Sequence, residues 1–387
     1  MDKLAQDILA LVATPSETGH EAPLADLLER RLQRAAAERG HRLTRDGDSL
    51  VLRPLHRAPA RPLVVLAGHI DTVPRAQAPE PELRDGRIVG RGSVDMKSGI
   101  AILLSLAEGL NADEGFADRA FVFYAGEEGS NETNALGGIL EREGWLREAG
   151  LAILLEPTNS ALELGCNGSI HLGVTFHGQA CHSARPWQGV HPLARALPWI
   201  EGVLRHPIRL AEIEGVVFRE TVSLTKVHAG EVRNVVPGTL DLNVNLRYPP
   251  DRSPEEAEAL IWSLVAAGDG PGLREYVTAE ILDHAPAGRI DAASPLYRYL
   301  CEWTGLPRCA KQGWTDVARF TSAGVPALNW GPGNPDLCHT RDESVEVAEV
   351  AACRKLMMEF LRSAGPTGGA LPGTMPPGAA APPRPRS

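Results

Sequence analysis

Apolar residues recur with two different periods along the first 166 residues, and the two periods predict alternating helices and strands. Leucines and alanines at helical spacing predict amphipathic helices over residues 2–13 and 21–39. A longer apolar pattern predicts another helix over residues 93–110. Strand and helix therefore alternate as in an α/β fold with a mainly parallel central sheet. The predicted strands are short apolar runs without alternation, which is typical of strands buried on both faces, at residues 62–68, 119–126 and 151–157.

From residue 167 the pattern changes to strands in which apolar and polar residues alternate. This change indicates an inserted α+β module. A helix predicted over residues 251–270 begins with Ser253 as its N-cap, Pro254 at its first position and Glu256 at the capping-box position. The alternating strands are predicted at residues 169–178, 221–230 and 239–250.

Buried-strand character returns after the insertion, in residues 324–334. We therefore expect a discontinuous main domain of residues 1–166 and 284–363 and an inserted domain of residues 167–283. The last stretch, 364–387, is mostly Pro, Gly and Ala with little to bury, and it is expected to be a disordered tail.

Composition and charge exclude several classes of protein. The chain carries 39 Lys and Arg against 49 Asp and Glu, a formal charge of −10, which argues against a nucleic-acid partner. Its apolar runs are shorter than the roughly 18 residues of a membrane span, and its N-terminus lacks the pattern of a signal peptide. We expect a soluble, cytoplasmic protein that does not bind membranes. Six cysteines without a CxxC pair favour free thiols.

Side chains that can bind a metal follow directly after the predicted buried strands. Ligands in open α/β sheets bind outside the carboxyl ends of the strands, so these side chains can converge on one crevice. Two imidazoles and several carboxylates, without a thiolate, suit a pair of zinc ions about 3.5 to 4 Å apart with one bridging carboxylate. The candidate side chains are His69, Asp71, Asp95, Glu127, Glu128, Glu156 and His339.

Each candidate also has an ordinary structural interpretation. Asp71 could be a turn residue, and Glu156 could cap a helix or form a turn before Pro157. Glu127 and Glu128 could form a solvated turn. However, this acidic pair follows an apolar strand, where two like charges repel each other unless a cation compensates them. The coincidence of all these segments, rather than any single one, favours a metal site.

Five segments resemble the motifs of a known enzyme family. They are GHIDTVP, GRGSVDMKSG, EEGS, LLEPT and GPGNPDLCHTRDE. Together they resemble the di-zinc metallopeptidase family of aminoacylases, acetylornithine deacetylase, succinyl-diaminopimelate desuccinylase and related carboxypeptidases. The likeness spans most of residues 1–363. Within the family it is strongest to the actinobacterial type of succinyl-diaminopimelate desuccinylase, through HSARPWQGVHP, VVPGTLDLNVNLRYPPDRS and KQGWTDVARFTSAGVPALNWGPGNPDLCHTRDE.

The resemblance implies a zinc-binding catalytic domain with an inserted lid and dimerisation domain. It implies two zinc ions per subunit, which Co²⁺ or Mn²⁺ could replace, and Asp95 as the bridging ligand. It also implies a cis peptide bond between Asp95 and Met96. One zinc is expected on His69, Asp95 and Glu156, and the other on Asp95, Glu128 and His339.

Three further residues receive catalytic roles from the resemblance. Asp71 should accept a hydrogen bond from the second ring nitrogen of His69 and fix its tautomer. Glu127, left over from the ligand count, should act as the general base on the bridging water and then pass the proton to the leaving amine. His182 would be an ordinary surface histidine by its chemistry alone. The resemblance instead implies that it reaches across from the partner subunit and helps to form the oxyanion hole, which requires a homodimer.

The implied reaction is hydrolysis of the N-succinyl amide of N-succinyl-L,L-2,6-diaminopimelate. Guanidinium groups bind the carboxylates of such a substrate well, although arginines also form ordinary surface ion pairs. The candidate substrate residues are Arg185, Asn234, Arg247, Gly313 and Thr315.

Other activities within the same family are acetylornithine-type deacetylation, aminoacylase action, or deacylation by a paralogue in a specialised pathway. The segment AGEEGSNETNALGG and the Pro-rich tail differ from what is expected of the desuccinylase subgroup. These other activities therefore stay open. A binding protein without catalysis would be indicated if ligands or the base were missing, but every expected one is present.

Overall fold

The computed structural model describes residues 2–58, 61–75, 78–266 and 275–366. Within these residues the α-helices are α1 (Lys3–Ala13), α2 (Ala22–Arg39), α3 (Lys97–Gly109), α4 (Ala135–Arg142), α5 (Pro192–Leu204), α6 (Pro254–Ala266), α7 (Pro295–Thr304), α8 (Val317–Ser322) and α9 (Val347–Arg362). The strands are β1 (His41–Asp46), β2 (Ser49–Pro54), β3 (Leu63–His69), β4 (Glu82–Arg84), β5 (Arg87–Val89), β6 (Asp118–Tyr124), β7 (Leu151–Leu154), β8 (Leu162–Leu164), β9 (Gly168–His177), β10 (Cys181–His182), β11 (Arg209–Ile213), β12 (Val216–His228), β13 (Val235–Val236), β14 (Thr239–Tyr248), β15 (Val277–Ala285), β16 (Arg308–Ala310), β17 (Ala327–Asn329) and β18 (Ser344–Glu346).

The main sheet has eight strands in the order β1-β2-β6-β3-β7-β17-β8-β16. Strand β3 runs parallel to both of its neighbours, β6 and β7, and β17 runs parallel to β7. Antiparallel pairing is confined to β1 with β2, β2 with β6, and β17 with β8. This arrangement confirms the mainly parallel central sheet and the α/β fold.

Helices cover both faces of the main sheet, because alternate residues of its central strands face opposite sides. Val64 and Leu66 of β3 pack in a cluster with residues of α1, α2, α3 and α9. Val65 and Ala67 pack in a second cluster with residues of α4 and α8. Every residue of β3 is buried, which is why its sequence shows an unbroken apolar run.

Helix α3 lies close to the carboxyl end of β7. A Cβ atom at Gly99 would lie 2.3 Å from the carbonyl oxygen of Leu155, so only glycine permits this approach. The close packing brings the loop before α3, which carries Asp95, next to Glu156. The peptide bond between Asp95 and Met96 is cis, as the resemblance implies.

The inserted segment forms a separate antiparallel sheet in the order β11-β12-β14-β9-β15. Its apolar side packs with α5 and α6 around residues such as Phe176, Trp199 and Ile261. The predicted capping box of α6 is confirmed: the Ser253 amide donates to Glu256 Oε2 at 2.8 Å, and the Glu256 amide donates to Ser253 Oγ at 3.1 Å.

Strand β12 begins at Val216, earlier than the strand predicted from residue 221, and pairs with β11. The domain boundaries at residues 167 and 284 stay predictions.

Three further expectations concern the cysteines, membrane-spanning helices and the C-terminal tail. All six cysteines are free. No helix in the described part of the chain is long and apolar enough to cross a membrane. The expected disordered tail, 364–387, lies outside the described residues from position 367 onward.

Candidate metal centre

The carboxyl ends of three neighbouring parallel strands bring the candidate ligands together. His69 is the last residue of β3, the Glu127–Glu128 pair follows β6, and Glu156 follows β7. Asp95 approaches from the loop before α3, and His339 lies in the loop after β17. The crevice expected at this edge of the sheet therefore receives side chains from every segment that the sequence analysis selected.

The five predicted ligands form two groups that share Asp95, and the candidate ligand atoms of each group lie within 4.8 Å of one another. His69 Nε2 is 3.1 Å from Asp95 Oδ1 and 3.8 Å from Glu156 Oε1. On the other side, His339 Nε2 is 3.3 Å from Asp95 Oδ2 and 2.9 Å from Glu128 Oε1. The two oxygens of Asp95 thus face different groups, which is the geometry of a bridging carboxylate.

Solvent reaches the two groups unequally. The side chains of His69 and Glu156 are 1% and 6% exposed, whereas the imidazole of His339 is 48% exposed. His339 therefore lies at the mouth of the crevice, whereas the side chain of Glu128 is only 8% exposed.

The electrostatics of the cluster fit divalent cations. Oε1 of Glu156 is buried without a hydrogen-bond partner among the described residues. Burial, followed by the charge of Asp95, raises the pKa of Glu156 to about 7. Burial is also the main cause that raises the pKa of Glu127 well above its ordinary value. Hydrogen bonds to Asp95 and Glu128 raise the pKa of His339 to about 10. Neighbouring carboxylates add to the effect of burial on Glu156 and Glu127 and are the main cause at His339, so the cluster is buried and rich in negative charge.

Asp71 supports the cluster in two ways. His69 Nδ1 lies 3.1 Å from the backbone oxygen of Asp71 and 3.5 Å from its carboxylate Oδ1. The same carboxylate accepts the amide N–H groups of Glu127 and Glu128, at 3.1 and 3.0 Å, and the hydroxyl of Thr18 at 2.9 Å. It therefore fixes the backbone of the acidic pair, which the sequence analysis did not predict.

Glu127 belongs to neither ligand group but lies directly beside them. Asp316 lies close enough for its charge to contribute to the raised pKa of Glu127. Asn134 donates to both oxygens of Asp316 at 2.9 and 3.0 Å, and Arg319 Nε lies 2.8 Å from Oδ1. The loop that carries Glu127 is thus joined to helix α8.

Three of the other predicted site residues lie together on the inserted segment. His182 is in β10, which pairs with β13, and the backbone oxygen of Asn234 accepts the amide of Ser183 at 2.9 Å. The amide of Arg185 donates to the backbone oxygen of His182 at 2.8 Å. All three side chains are exposed, and among the described residues no hydrogen bond joins them to the candidate ligands.

The remaining predicted substrate residues differ in their surroundings. Arg247 lies in β14, where Nε donates to Asn245 Oδ1 at 2.9 Å and burial lowers the pKa of the guanidinium. Gly313 is exposed in the loop before α8. Thr315 is buried, and its hydroxyl accepts from Asn329 Nδ2 at 3.2 Å, so it already has a partner within the protein.

Sequence reasoning missed Arg91 and Glu343, a buried ion pair beside Asp95. The available signals were their places in the segments GRGSVDMKSG and GPGNPDLCHTRDE, which carried the resemblance without a role for either residue.

Comparison with known proteins assigns the family. The model of peptidase family M20/M25/M40 matches residues 65–363. The chain belongs to this family. A succinyl-diaminopimelate desuccinylase of Corynebacterium glutamicum is 33% identical over 368 residues, covering 91% of this chain and 94% of that protein. A Mycobacterium tuberculosis protein that carries the same name provisionally is 35% identical over 353 residues, covering 91% and 96%.

Solved structures of this family share the fold. A metallo-carboxypeptidase of family M20 from Sulfolobus solfataricus superimposes with a TM-score of 0.72 at 14% identity, covering 94% of this chain and 99% of that one. A Bacillus subtilis protein described as a dinuclear metal-binding peptidase of family M20 gives a TM-score of 0.67 at 14% identity, with coverages of 93% and 97%.

Of the two adjacent glutamates, only Glu128 belongs to a candidate ligand group. We expect Glu128→Gln to lower the number of divalent ions bound per subunit, because Glu128 is one of three side chains in its group. Glu127→Gln should keep the wild-type number, since Glu127 is in neither group. Elemental analysis of both variants after equilibration with zinc and removal of excess metal checks this. Loss of metal in the Glu127 variant with retention in the Glu128 variant would reverse the assignment.

Proposed function

We propose that this protein is a zinc-dependent amidohydrolase that cleaves the N-succinyl amide of N-succinyl-L,L-2,6-diaminopimelate to succinate and L,L-diaminopimelate. The observation that carries the proposal is the pair of ligand groups that share Asp95, with Glu127 beside them. The names and identities of the actinobacterial relatives support the choice of substrate.

The residues that would hold the two zinc ions are the five of the shared cluster. Metal ions held there would polarise the amide carbonyl of the substrate and lower the pKa of a water molecule between them. Imidazole and carboxylate ligands without a thiolate suit zinc in a hydrolytic site. Asp71 would hold His69 in a fixed orientation through the contacts at its Nδ1 atom.

Glu127 is the proposed general base. Its carboxylate takes a proton from the attacking water and later delivers it to the nitrogen of the leaving amine. Asp71 holds the backbone of the Glu127–Glu128 pair, and Asp316 accepts the side-chain amide of Asn134 at the other end of that loop.

Arg247 is the most favourable candidate for binding a substrate carboxylate. Its guanidinium is partly buried, and only Nε has an acceptor among the described residues, at Asn245. The two terminal nitrogens thus keep their donors available for a bidentate contact with a carboxylate. Arg185 and Asn234 would contribute from the ribbon of β10 and β13, and Gly313 and Thr315 would shape the wall opposite.

We also propose that the inserted segment, residues 167–283, is a lid through which two subunits form a dimer. Apolar side chains are exposed along α5 and β11, with Leu197, Leu204 and Leu210 at 53%, 66% and 62% exposure. Strand β11 is an edge strand of its sheet, so its outer backbone groups can pair with a second copy. His182 would then complete the site of the partner subunit as an oxyanion donor.

The substrate assignment is tested with a panel of N-acyl amino acids. Zinc-loaded protein should hydrolyse N-succinyl-L,L-diaminopimelate with a higher kcat/KM than N-acetylornithine or neutral N-acetyl amino acids, because only the first presents carboxylates at both ends. Arg247→Lys should raise KM for this substrate more than it lowers kcat. Preference for a neutral acyl amino acid would contradict the proposal and indicate an aminoacylase or another paralogue.

Subunit mixing tests the shared site. His182→Ala and Glu127→Gln should each be inactive, because each lacks one required group. In a mixed dimer with shared sites, one site carries both defects and the other carries neither. Activity should therefore reappear after subunit exchange, towards one quarter of the wild-type level for random mixing of equal amounts. If heterodimers form but no activity returns, His182 does not act across the interface.

A further inference from the structure

Arg91 and Glu343 form an ion pair between the two loops that carry Asp95 and His339. Arg91 Nη1 lies 2.6 Å from Glu343 Oε2, and the two side chains are 9% and 0% exposed. Neither residue belongs to a ligand group. The pair is therefore a buried ion pair in contact with the backbone of two candidate ligands.

Glu343 contacts the Asp95 loop through its second carboxylate oxygen. Oε1 accepts the amide N–H of Val94 at 3.1 Å and that of Asp95 at 3.2 Å. The backbone oxygen of Glu343 also accepts the amide of Gly90 at 3.1 Å. The next residue, Ser344, pairs with Val89 in the short sheet of β5 and β18. Glu343 thus fixes the backbone from which the Asp95 carboxylate projects.

Arg91 contacts the His339 loop in a similar way. Its Nη2 donates to the backbone oxygen of His339 at 3.4 Å, and Nη1 donates to that of Thr340 at 3.3 Å. His339 has a φ of +62°, in the left-handed region that residues other than glycine rarely adopt. Such a conformation persists where surrounding contacts hold it, and the arginine supplies one of these contacts.

We propose that Arg91 and Glu343 are positioning residues that set the distance between Asp95 and His339, and so determine the metal affinity of the group formed by Asp95, Glu128 and His339. This inference rests on the metal centre of the proposed function. The ion pair joins the backbones of two ligands that are far apart in the sequence. His69 and Glu156, by contrast, are placed by the adjacent strands β3 and β7.

Stability alone does not explain the pair. A buried ion pair seldom stabilises a fold more than apolar side chains of the same volume would, because removing both charges from water is costly. Its oxygens and nitrogens are instead directed at the backbone of two candidate ligands. The groups that orient a metal ligand from behind commonly change metal affinity by about 10- to 100-fold when they are replaced.

The test is a titration of metal-free protein with Zn²⁺ in competition with a chromophoric chelator, which resolves the two successive binding constants. Glu343→Gln keeps an oxygen for the Val94 and Asp95 amides but removes the charge that pairs with Arg91. We expect it to weaken binding of the ion in the group of Asp95, Glu128 and His339 about 10- to 100-fold and to change the other much less. His339→Ala, which disrupts the second group, shows which of the two binding constants belongs to it. Added to this variant, Glu343→Gln should change the affinity of the remaining ion much less than it changes that of the ion lost.

Glu220→Gln is the matched control. Glu220 is 4% exposed and lies 3.0 Å from Arg209 Nη2, but it belongs to the sheet of the inserted segment. Any loss of thermal stability should resemble that of Glu343→Gln, without a change in metal affinity. If Glu343→Gln does not fold, Arg91→Lys provides the comparison, since lysine cannot reach both backbone oxygens. This variant too should lower the affinity for the ion in the group of Asp95, Glu128 and His339 more than the affinity for the other ion.

Two outcomes would overturn the inference in distinguishable ways. If wild-type protein binds two ions and the Glu343 or Arg91 variant keeps both affinities, or loses both equally, the positioning role is wrong and the metal centre stands. If wild-type protein binds fewer than two ions, the proposed metal centre is itself wrong, and the inference fails with it.

Discussion

Repulsion between buried carboxylates is the constraint on which the rest of the structure depends. Five of these groups meet two imidazoles at one edge of the main sheet. Like charges at such distances are costly unless cations lie between them. The carboxylates are Asp71, Asp95, Glu127, Glu128 and Glu156.

The scaffold is built to hold these charges close together. Parallel strands β6, β3 and β7 end side by side, and the close approach of α3 at Gly99 adds the Asp95 loop from a fourth direction. Two carboxylates also hold the loops that carry the candidate ligands. Asp71 accepts two backbone amides, and Glu343 accepts two more. Charge that would destabilise an isolated strand end becomes an oriented set of ligands.

Much of this arrangement could be predicted from the sequence, because the information is local. Unbroken apolar runs marked the buried strands, and the residue directly after each run marked the edge where side chains converge. The resemblance then separated Glu127 from Glu128, which composition and spacing cannot do. In the structure Glu128 lies 2.9 Å from His339, and the separate roles of the two glutamates stay a prediction.

The features that could not be predicted depend on contacts between distant parts of the chain. A periodic pattern of apolar residues carries no information about such contacts. Arg91 and Glu343 lie 252 positions apart in the sequence, and only the fold brings them within 2.6 Å of each other. Asp71 was expected to act on His69 alone, yet its carboxylate also holds the backbone of the acidic pair. Strand β12 extends further back than its apolar pattern because β11 pairs with it across a tight turn at Glu214 and Gly215.

The most direct measurement of the central claim is anomalous diffraction at the zinc absorption edge from crystals of zinc-loaded protein. We expect two peaks about 3.5 to 4 Å apart. One should lie between His69 and Glu156, the other between Glu128 and His339, with one oxygen of Asp95 directed at each. A single peak at full zinc occupancy, or peaks away from these five side chains, would contradict the account.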